Sequence, residues 1–151
     1  MLEINNLTTV EIDEEFLRRV VNEVLKGEKI KKEVNLSLAF IGSGRMRKLN
    51  RKYRGKNRVT DVLAFPESEV LFEKFKIGPL QKIKGLGEIV ICLREVKKNA
   101  KRFNSTFEKE LANVLIHGLL HLLGYDHEKN EKEAKKMQQK QQKYLEQILK
   151  S

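Results

Sequence analysis

The chain has 151 residues, of which 40% are hydrophobic and 34% are charged. It is long enough to bury an apolar core and is neither collagen-like nor compositionally disordered, so we expect a single domain over residues 1–151. Lysine and arginine outnumber aspartate and glutamate by 31 to 21, and the resulting net charge of +10 favours a polyanionic partner.

The predicted elements begin with a short strand at about 2–5 and an amphipathic helix over 13–26, whose apolar residues recur at helical spacing. Residues 33–41 alternate between apolar and polar side chains, which is typical of a half-buried strand. Ser43 is then predicted to cap a short helix that turns Met46, Leu49 and Tyr53 toward the core.

Two short runs rich in valine and isoleucine, 61–65 and 88–93, are predicted to be strands, and the connection between them is unusually long and therefore a candidate functional feature. A capping box over 105–108 begins an apolar helix that ends at Gly124. A last helix over about 130–149 carries one apolar stripe: Met137, Tyr144, Leu145, Ile148 and Leu149. This mixture predicts an α+β fold with a small mixed sheet of about four strands packed with helices.

Several classes of protein are excluded at this point. No apolar stretch approaches the roughly 20 residues that cross a bilayer, and residues 1–15 do not resemble an export signal. The single cysteine, Cys92, excludes an internal disulfide and a multi-cysteine metal cluster, and its apolar surroundings predict a core residue. We therefore expect a soluble, cytoplasmic protein with no membrane partner.

Most of the excess positive charge lies in one segment, which we call the basic run. It holds eight basic residues and no acidic one: Arg45, Arg47, Lys48, Arg51, Lys52, Arg54, Lys56 and Arg58. Release of condensed counterions makes nucleic acid the favoured partner of such a segment, with an anionic membrane surface as the weaker option. On charge alone, a solvated basic face is an equally good interpretation.

All three histidines fall within eleven residues. His117 and His121 are four residues apart, so on a helix they lie on one face, one turn apart. Gly124 can adopt the left-handed conformation that ends the helix, which lets His127 return over the same point. Imidazoles in so apolar a segment need polar partners, and the alternative to a metal is a pair of hydrogen-bonded core histidines with a third in a loop.

Three imidazoles suit a zinc ion that keeps a fourth position for water, which is the arrangement of catalytic zinc. One Zn²⁺ on His117, His121 and His127 is therefore predicted, on a central helix and the turn after it, although Ni²⁺ or another divalent ion suits the same ligands. The spacing is also that of metzincin proteases, in which a glutamate follows the first histidine as the general base. Here that position is Gly118, which makes proteolysis a minor alternative.

Segments 49–56 running into 60–66, 86–91, and 117–127 together resemble the YbeY family of metal-dependent endoribonucleases, or rRNA maturation factors. The small departures are Ala64, where the family often has serine, and Glu88, where it usually has aspartate. The resemblance implies cleavage of single-stranded RNA in maturation of the 3′ end of small-subunit rRNA and in ribosome quality control. It also implies zinc at the three histidines, ribosomal subunits as partners and no action on DNA.

A mechanism follows as a hypothesis from the residues and the resemblance together. A hydroxide activated by the metal attacks the phosphodiester or acts as a base, and Arg54, which aligns with the family's functional arginine, clamps the phosphate. Arg54 and His117 are thus the predicted catalytic residues. Asp126 is equally compatible with orienting a histidine or forming a turn, whereas for Tyr125 packing beside Gly124 is favoured over stacking on a base.

Two other functions stay open from the sequence. One is a non-enzymatic factor that binds rRNA or the ribosome and carries a structural metal, which fits the basic run but not an open metal position. The other is a divergent zinc metalloprotease, which fits the open position but not the basic run. The sequence leaves the oligomeric state open.

Overall fold

The computed structural model describes residues 1–30, 33–67 and 84–150, and within these it contains four strands and five helices. In chain order they are β1 (Leu2–Asn6), α1 (Glu14–Gly27), β2 (Val34–Ile41), α2 (Ser43–Arg54), β3 (Val62–Pro66), β4 (Lys84–Cys92), α3 (Leu93–Arg102), α4 (Phe107–Leu122) and α5 (Glu131–Lys150). Among these described helices, none has the length and apolar character to span a bilayer.

The strands form one mixed sheet in the order β1-β2-β4-β3. β2 pairs in parallel with both β1 and β4, whereas β3 pairs antiparallel with β4. The prediction of an α+β fold around a small mixed sheet is therefore confirmed. β2 and β4 end side by side, with Ile41 opposite Cys92, so the helices that follow them start from the same edge of the sheet.

Alternation along the strands divides the apolar residues between the two faces of the sheet. Leu38, Phe40 and Ile89 face the larger core, which is completed by α1, α4 and α5. Val90 and Cys92 face the smaller core beneath α2, where Met46 is fully buried. The predicted core position of Cys92 and the inward direction of Met46 are confirmed.

Helix α4 lies against the middle of the sheet because one of its residues has no side chain. A Cβ atom at Gly118 would lie 3.1 Å from Cγ2 of the buried Ile89 in β4. Only hydrogen fits comfortably at that distance, so glycine lets the helix pack closely on the strand. The neighbouring His117 is thereby placed beside the sheet, at the wall of a cleft.

Helix α3 is an element that the sequence does not predict. The predicted strand over 88–93 begins earlier, at Lys84, and ends at Cys92, after which Leu93 begins the helix. Only three of its ten residues, Leu93, Val96 and Ala100, are buried. So narrow an apolar stripe gives little helical periodicity, which explains the error. The predicted long connection before β4 falls largely on 68–83, outside the described residues.

Two predicted caps are wrong by one residue. Ser43 is not the cap of α2, because Gly42 occupies that position without a side-chain hydrogen bond, and the Ser43 hydroxyl lies 3.8 Å from the Cys92 sulfur instead. In the predicted capping box, Thr106 and not Ser105 caps α4, and its hydroxyl accepts a hydrogen bond of 3.1 Å from a backbone N–H of the first turn. Serine and threonine are both strongly preferred at helix N-caps, so residue type alone does not separate neighbouring positions.

The last helix follows its prediction except at its end. Met137, Tyr144, Leu145 and Ile148 are buried against the larger core. Leu149 was expected on the same stripe but is 47% exposed, because it lies at the final turn, one residue past the stripe.

Candidate active site

The three predicted histidines lie side by side. His117 and His121 project from successive turns of α4, and His127 returns from the turn that follows. Their ring centroids are 4.9–5.1 Å apart, and one ligand nitrogen from each lies within 4.8 Å of the others. Nε2 of His121 is 3.0 Å from Nδ1 of His127. A cluster with this spacing could hold one metal ion.

The return of the chain depends on the end of α4. Gly124 has a φ of +103°, in the region that glycine adopts without strain. Its N–H donates to the carbonyl of His121, and the N–H of Tyr125 donates to the carbonyl of Leu120, which is the Schellman pattern. The predicted helix end at Gly124 is confirmed. Asp126 then accepts a 2.9 Å hydrogen bond from the N–H of Glu128, so its carboxylate stabilises the turn.

The surroundings favour the neutral form of two of the imidazoles. Burial lowers the pKa of His117, and a positive charge on His127 would lower it further. Burial likewise lowers the pKa of His121, as do the two neighbouring histidines. Neutral imidazoles carry the nitrogen lone pair that a metal needs. The donor set therefore fits a divalent transition-metal ion such as zinc.

Gln141 on α5 orients the first of these histidines, and the sequence does not point to it. Its amide nitrogen donates to the side chain of Asn113 at 2.8 Å, so its amide oxygen is the atom that faces Nδ1 of His117, at 3.0 Å. Because that oxygen can only accept, Nδ1 carries the proton, and the lone pair of Nε2 is available to a metal. Residue 141 lies in a polar stretch with no motif, so no local signal marks it.

The histidines line a cleft of about 570 Å³. Arg54 lines the same cleft from the end of α2, together with Lys56 and Arg58 of the basic run. Nη2 of Arg54 donates to the carbonyl of Ala64 at 2.9 Å, and its guanidinium lies 5.1 Å from the centre of the Phe65 ring. The structure thus brings the predicted catalytic arginine and the three histidines to one cleft.

Comparison with known proteins decides the family. The family model described as Endoribonuclease YbeY matches residues 3–149. The chain belongs to the YbeY endoribonuclease family. It is 48% identical over 110 residues to Endoribonuclease YbeY of Thermodesulfovibrio yellowstonii, which covers 73% of this chain and 64% of that protein. It is 40% identical over 136 residues to Endoribonuclease YbeY of Thermotoga maritima, covering 89% of this chain and 79% of the relative.

The fold of the YbeY family is also matched. The solution structure of TM1509 from Thermotoga maritima superposes with a TM-score of 0.63 and 35% sequence identity, covering 98% of this chain and 89% of that one. The family resemblance carried by segments 49–66, 86–91 and 117–127 is therefore confirmed, and so is the fold class.

All eight basic side chains of the basic run are exposed, but they do not all face the histidines of this YbeY chain. Arg54, Lys56 and Arg58 line the cleft, whereas Arg47 and Arg51 line a separate, shallower pocket. The end of α2 explains the division, because Arg47 and Arg51 lie within the helix, whereas Arg54 ends it and Lys56 and Arg58 follow it. Only the C-terminal part of the run thus belongs to the cleft.

Three acidic residues that the sequence does not mark also line the cleft: Asp61, Glu110 and Glu128. Asp61 precedes β3, and Glu110 lies in the first turns of α4. Burial, together with the negative charge of Asp61, raises the pKa of Glu110, although a hydrogen bond from Asn113 opposes the rise. These carboxyl groups give the otherwise basic cleft one acidic wall.

Tyr125 packs near the turn, and its hydroxyl is engaged. It donates a 2.6 Å hydrogen bond to Glu28, which follows α1, and Tyr144 donates to the same carboxylate. Nζ of Lys140 lies 3.1 Å from Glu28. Burial raises the pKa of Glu28, but these three donors outweigh it and hold the pKa below its usual 4.5. For Tyr125, burial and Glu28 raise the pKa to about 12. Packing is therefore the role that the contacts of Tyr125 support.

Proposed function

We propose that this protein is a metal-dependent endoribonuclease that cleaves single-stranded RNA, acting in the cytoplasm in maturation of the 3′ end of small-subunit rRNA and in ribosome quality control. The observation that carries the proposal is that Arg54 and the three histidines line one cleft. Membership of the YbeY family supports the reaction type. A non-enzymatic assembly factor with a structural metal does not account for an open metal position. A protease does not account for the basic run.

The proposed metal is a single Zn²⁺ on His117, His121 and His127, with Ni²⁺ as a chemically similar substitute. When bound, such an ion lowers the pKa of a coordinated water toward about 7 and polarises a phosphoryl oxygen. The protein supplies three imidazole nitrogen donors and holds the first of them through Gln141. No thiolate is near, since Cys92, the only cysteine, is buried in the smaller core.

Arg54 is the proposed phosphate clamp. Its guanidinium is planar and always charged, and its position is fixed by the carbonyl of Ala64 and the ring of Phe65. A guanidinium can donate two hydrogen bonds to one phosphate, which neutralises the negative charge that grows in the transition state. Lys56 and Arg58 line the approach and would hold neighbouring phosphates of the strand.

A single strand suits this cleft better than a duplex. A volume of about 570 Å³ accommodates a small part of a chain. A flexible single strand can bend one phosphate toward the histidines, whereas an A-form duplex holds its phosphates on a rigid helix. The 2′-hydroxyl, which RNA has and DNA lacks, provides an additional reacting group, so we expect no cleavage of DNA.

The test is a cleavage assay with the zinc-loaded protein. We expect a labelled single-stranded RNA to be cut, while a duplex of the same sequence, single-stranded DNA and casein stay intact. A chelator should abolish the cutting, and added Zn²⁺ or Ni²⁺ should restore it. Casein hydrolysis would indicate a metalloprotease. Tight RNA binding without any cleavage would indicate an assembly factor. Either outcome contradicts the proposal.

A further inference from the structure

Helix α3 carries a second basic surface that the basic run does not include. Five basic side chains project from its ten residues and all are exposed: Arg94, Lys97, Lys98, Lys101 and Arg102. At about 100° per residue, these five occupy one uninterrupted arc of about 140° around the helix. We call this surface the basic arc. The one acid of the helix, Glu95, lies beyond the arc's edge and pairs with Lys98 at 3.6 Å.

An exposed aromatic residue follows the arc. Phe103 is 64% exposed, and the guanidinium of Arg102 lies 5.5 Å from its ring centre. The residue is held firmly, since its N–H donates to the carbonyl of Asn99 and the next two N–H groups are also bonded to the end of the helix. Exposed aromatic rings beside basic side chains are the stacking platforms of proteins that bind single strands.

Helix α3 adjoins the cleft through Asn99, which lies about 60° around the helix from Arg102 at the edge of the basic arc. Asn99 of α3 donates a hydrogen bond to the carboxylate of Asp61, which lines the cleft, and the N–H of Cys92 donates to the Asp61 carbonyl. Phe103 is one helical turn beyond Asn99, so it lies on the side of α3 that borders this rim. A strand that leaves the cleft over Asp61 therefore meets Phe103 first, then Arg102 beside it, and reaches the rest of the basic arc by passing around α3.

We propose that the basic arc and Phe103 bind the part of a single-stranded RNA that extends out of the cleft, the arc holding phosphates and the ring stacking on a base. This inference rests on the proposed function for the identity of the strand, but it concerns binding and not bond cleavage. Charge and stacking are sequence-tolerant, so the surface selects length and single-strandedness more than sequence.

The experiment measures binding of labelled RNA to chelator-treated full-length protein by fluorescence anisotropy. RNAs of about 5 and about 20 nucleotides are compared, since the shorter RNA occupies little more than the cleft, whereas the longer one can also reach the basic arc. In the triple variant Lys97→Gln/Lys101→Gln/Arg102→Gln, we expect the long RNA to bind at least about 10-fold more weakly, with a salt slope smaller by about 2. The short RNA should bind as it does to the parent protein.

The matched control removes the same charge elsewhere. Lys132, Lys143 and Lys150 are exposed on the stripe of α5 that points away from Gln141, so Lys132→Gln/Lys143→Gln/Lys150→Gln should leave binding of both lengths within about 2-fold. Phe103→Ala should weaken binding of the long RNA by about 5-fold or more. Phe103→Tyr should bind it as the parent protein does, because the aromatic ring is kept. Rescue by tyrosine separates stacking from loss of structure.

Several outcomes overturn the inference. The first is that the two triple variants weaken RNA binding equally, or that the α3 variant does not weaken it. The second is that the α3 variant weakens binding of both RNA lengths equally. The third is that the protein binds phosphatidylserine vesicles in place of RNA. Failure of the proposed function would give a different result. The zinc-loaded parent protein would then bind the long RNA through the basic arc without cutting it.

Discussion

The amide oxygen of Gln141 lies 3.0 Å from Nδ1 of His117, and Asn113 fixes which end of the amide faces the ring. The last helix of the chain thus determines which nitrogen of an α4 histidine is available to a metal. Partners of this kind typically contribute about 10–100-fold in metal affinity.

Gln141→Leu should weaken zinc binding by about 10-fold or more, because Nδ1 loses its acceptor and the ring its orientation. Competition with a chromophoric chelator measures the affinity. Gln142→Leu is the matched control, since Gln142 is exposed on the same helix and bonds only Glu146 among the described contacts. Equal affinities of the two variants would contradict a positioning role for Gln141.

Arg54→Ala should slow RNA cleavage by about 100-fold while the bound zinc stays at the parent level, because the guanidinium acts on phosphate and not on the histidines. Arg54→Lys should recover part of the rate, since it restores charge but not the bidentate geometry. Arg19→Ala, an exposed arginine on α1, serves as control. An unchanged rate in Arg54→Ala would remove this residue from the mechanism.

His117→Ala should lose both the metal and the activity, because two histidines do not hold zinc against a chelator. Zinc content by elemental analysis and cleavage of single-stranded RNA are measured on the same preparation. Circular dichroism checks that α4 still folds. Full zinc occupancy with full activity would exclude His117 as a ligand.

Gly118→Ala should destabilise the protein by about 1 kcal/mol, because its Cβ would lie only 3.1 Å from the Ile89 side chain. A well-packed core relieves such a close contact only at a cost in free energy. Gly44→Ala is the opposite case, since Gly44 lies in α2 with nothing within 4 Å of the added atom. There alanine should stabilise by about 0.5–1 kcal/mol. Urea unfolding compares the two variants, and equal shifts would show that the contact with Ile89 is not restrictive.

Glu28→Gln should lower the free energy of unfolding by about 2 kcal/mol near neutral pH, because a carboxylate with three donors is replaced by an amide. The folded-state pKa of Glu28 is below its unfolded value of about 4.5, so its contribution is complete above that pH and disappears as the pH falls through the folded value. Parent and variant should therefore converge in acid. Glu11→Gln, at an exposed position, should show no such convergence.

The parts of the site that the sequence predicts are those with local signals. The spacing of His117 and His121 on one helical face, with Gly124 after them, is enough to bring His127 back. Arg54 is different, since the eight basic residues of the basic run look alike in the sequence and only the family resemblance selects one. Its hydrogen bond to Ala64 depends on where α2 ends relative to β3.

What the sequence does not predict depends on distant contacts or on weak periodicity. Gln141 lies 24 residues from His117, and Glu28 lies 97 residues from Tyr125, so no window of sequence contains either pair. Helix α3 has three buried residues in ten, and its charges conceal that pattern. The shift from Ser105 to Thr106 reflects two residues with the same capping chemistry.

The missing side chain at position 118 also limits what this scaffold could become. A peptidase of the metzincin kind needs a glutamate directly after its first metal-binding histidine. Here the first carbon of such a glutamate would meet Ile89 of the sheet before any carboxylate could be built. Conversion to peptide hydrolysis would therefore demand that the Ile89 side chain shift as well as a new base, so the exchange of one chemistry for the other would cost packing against the sheet.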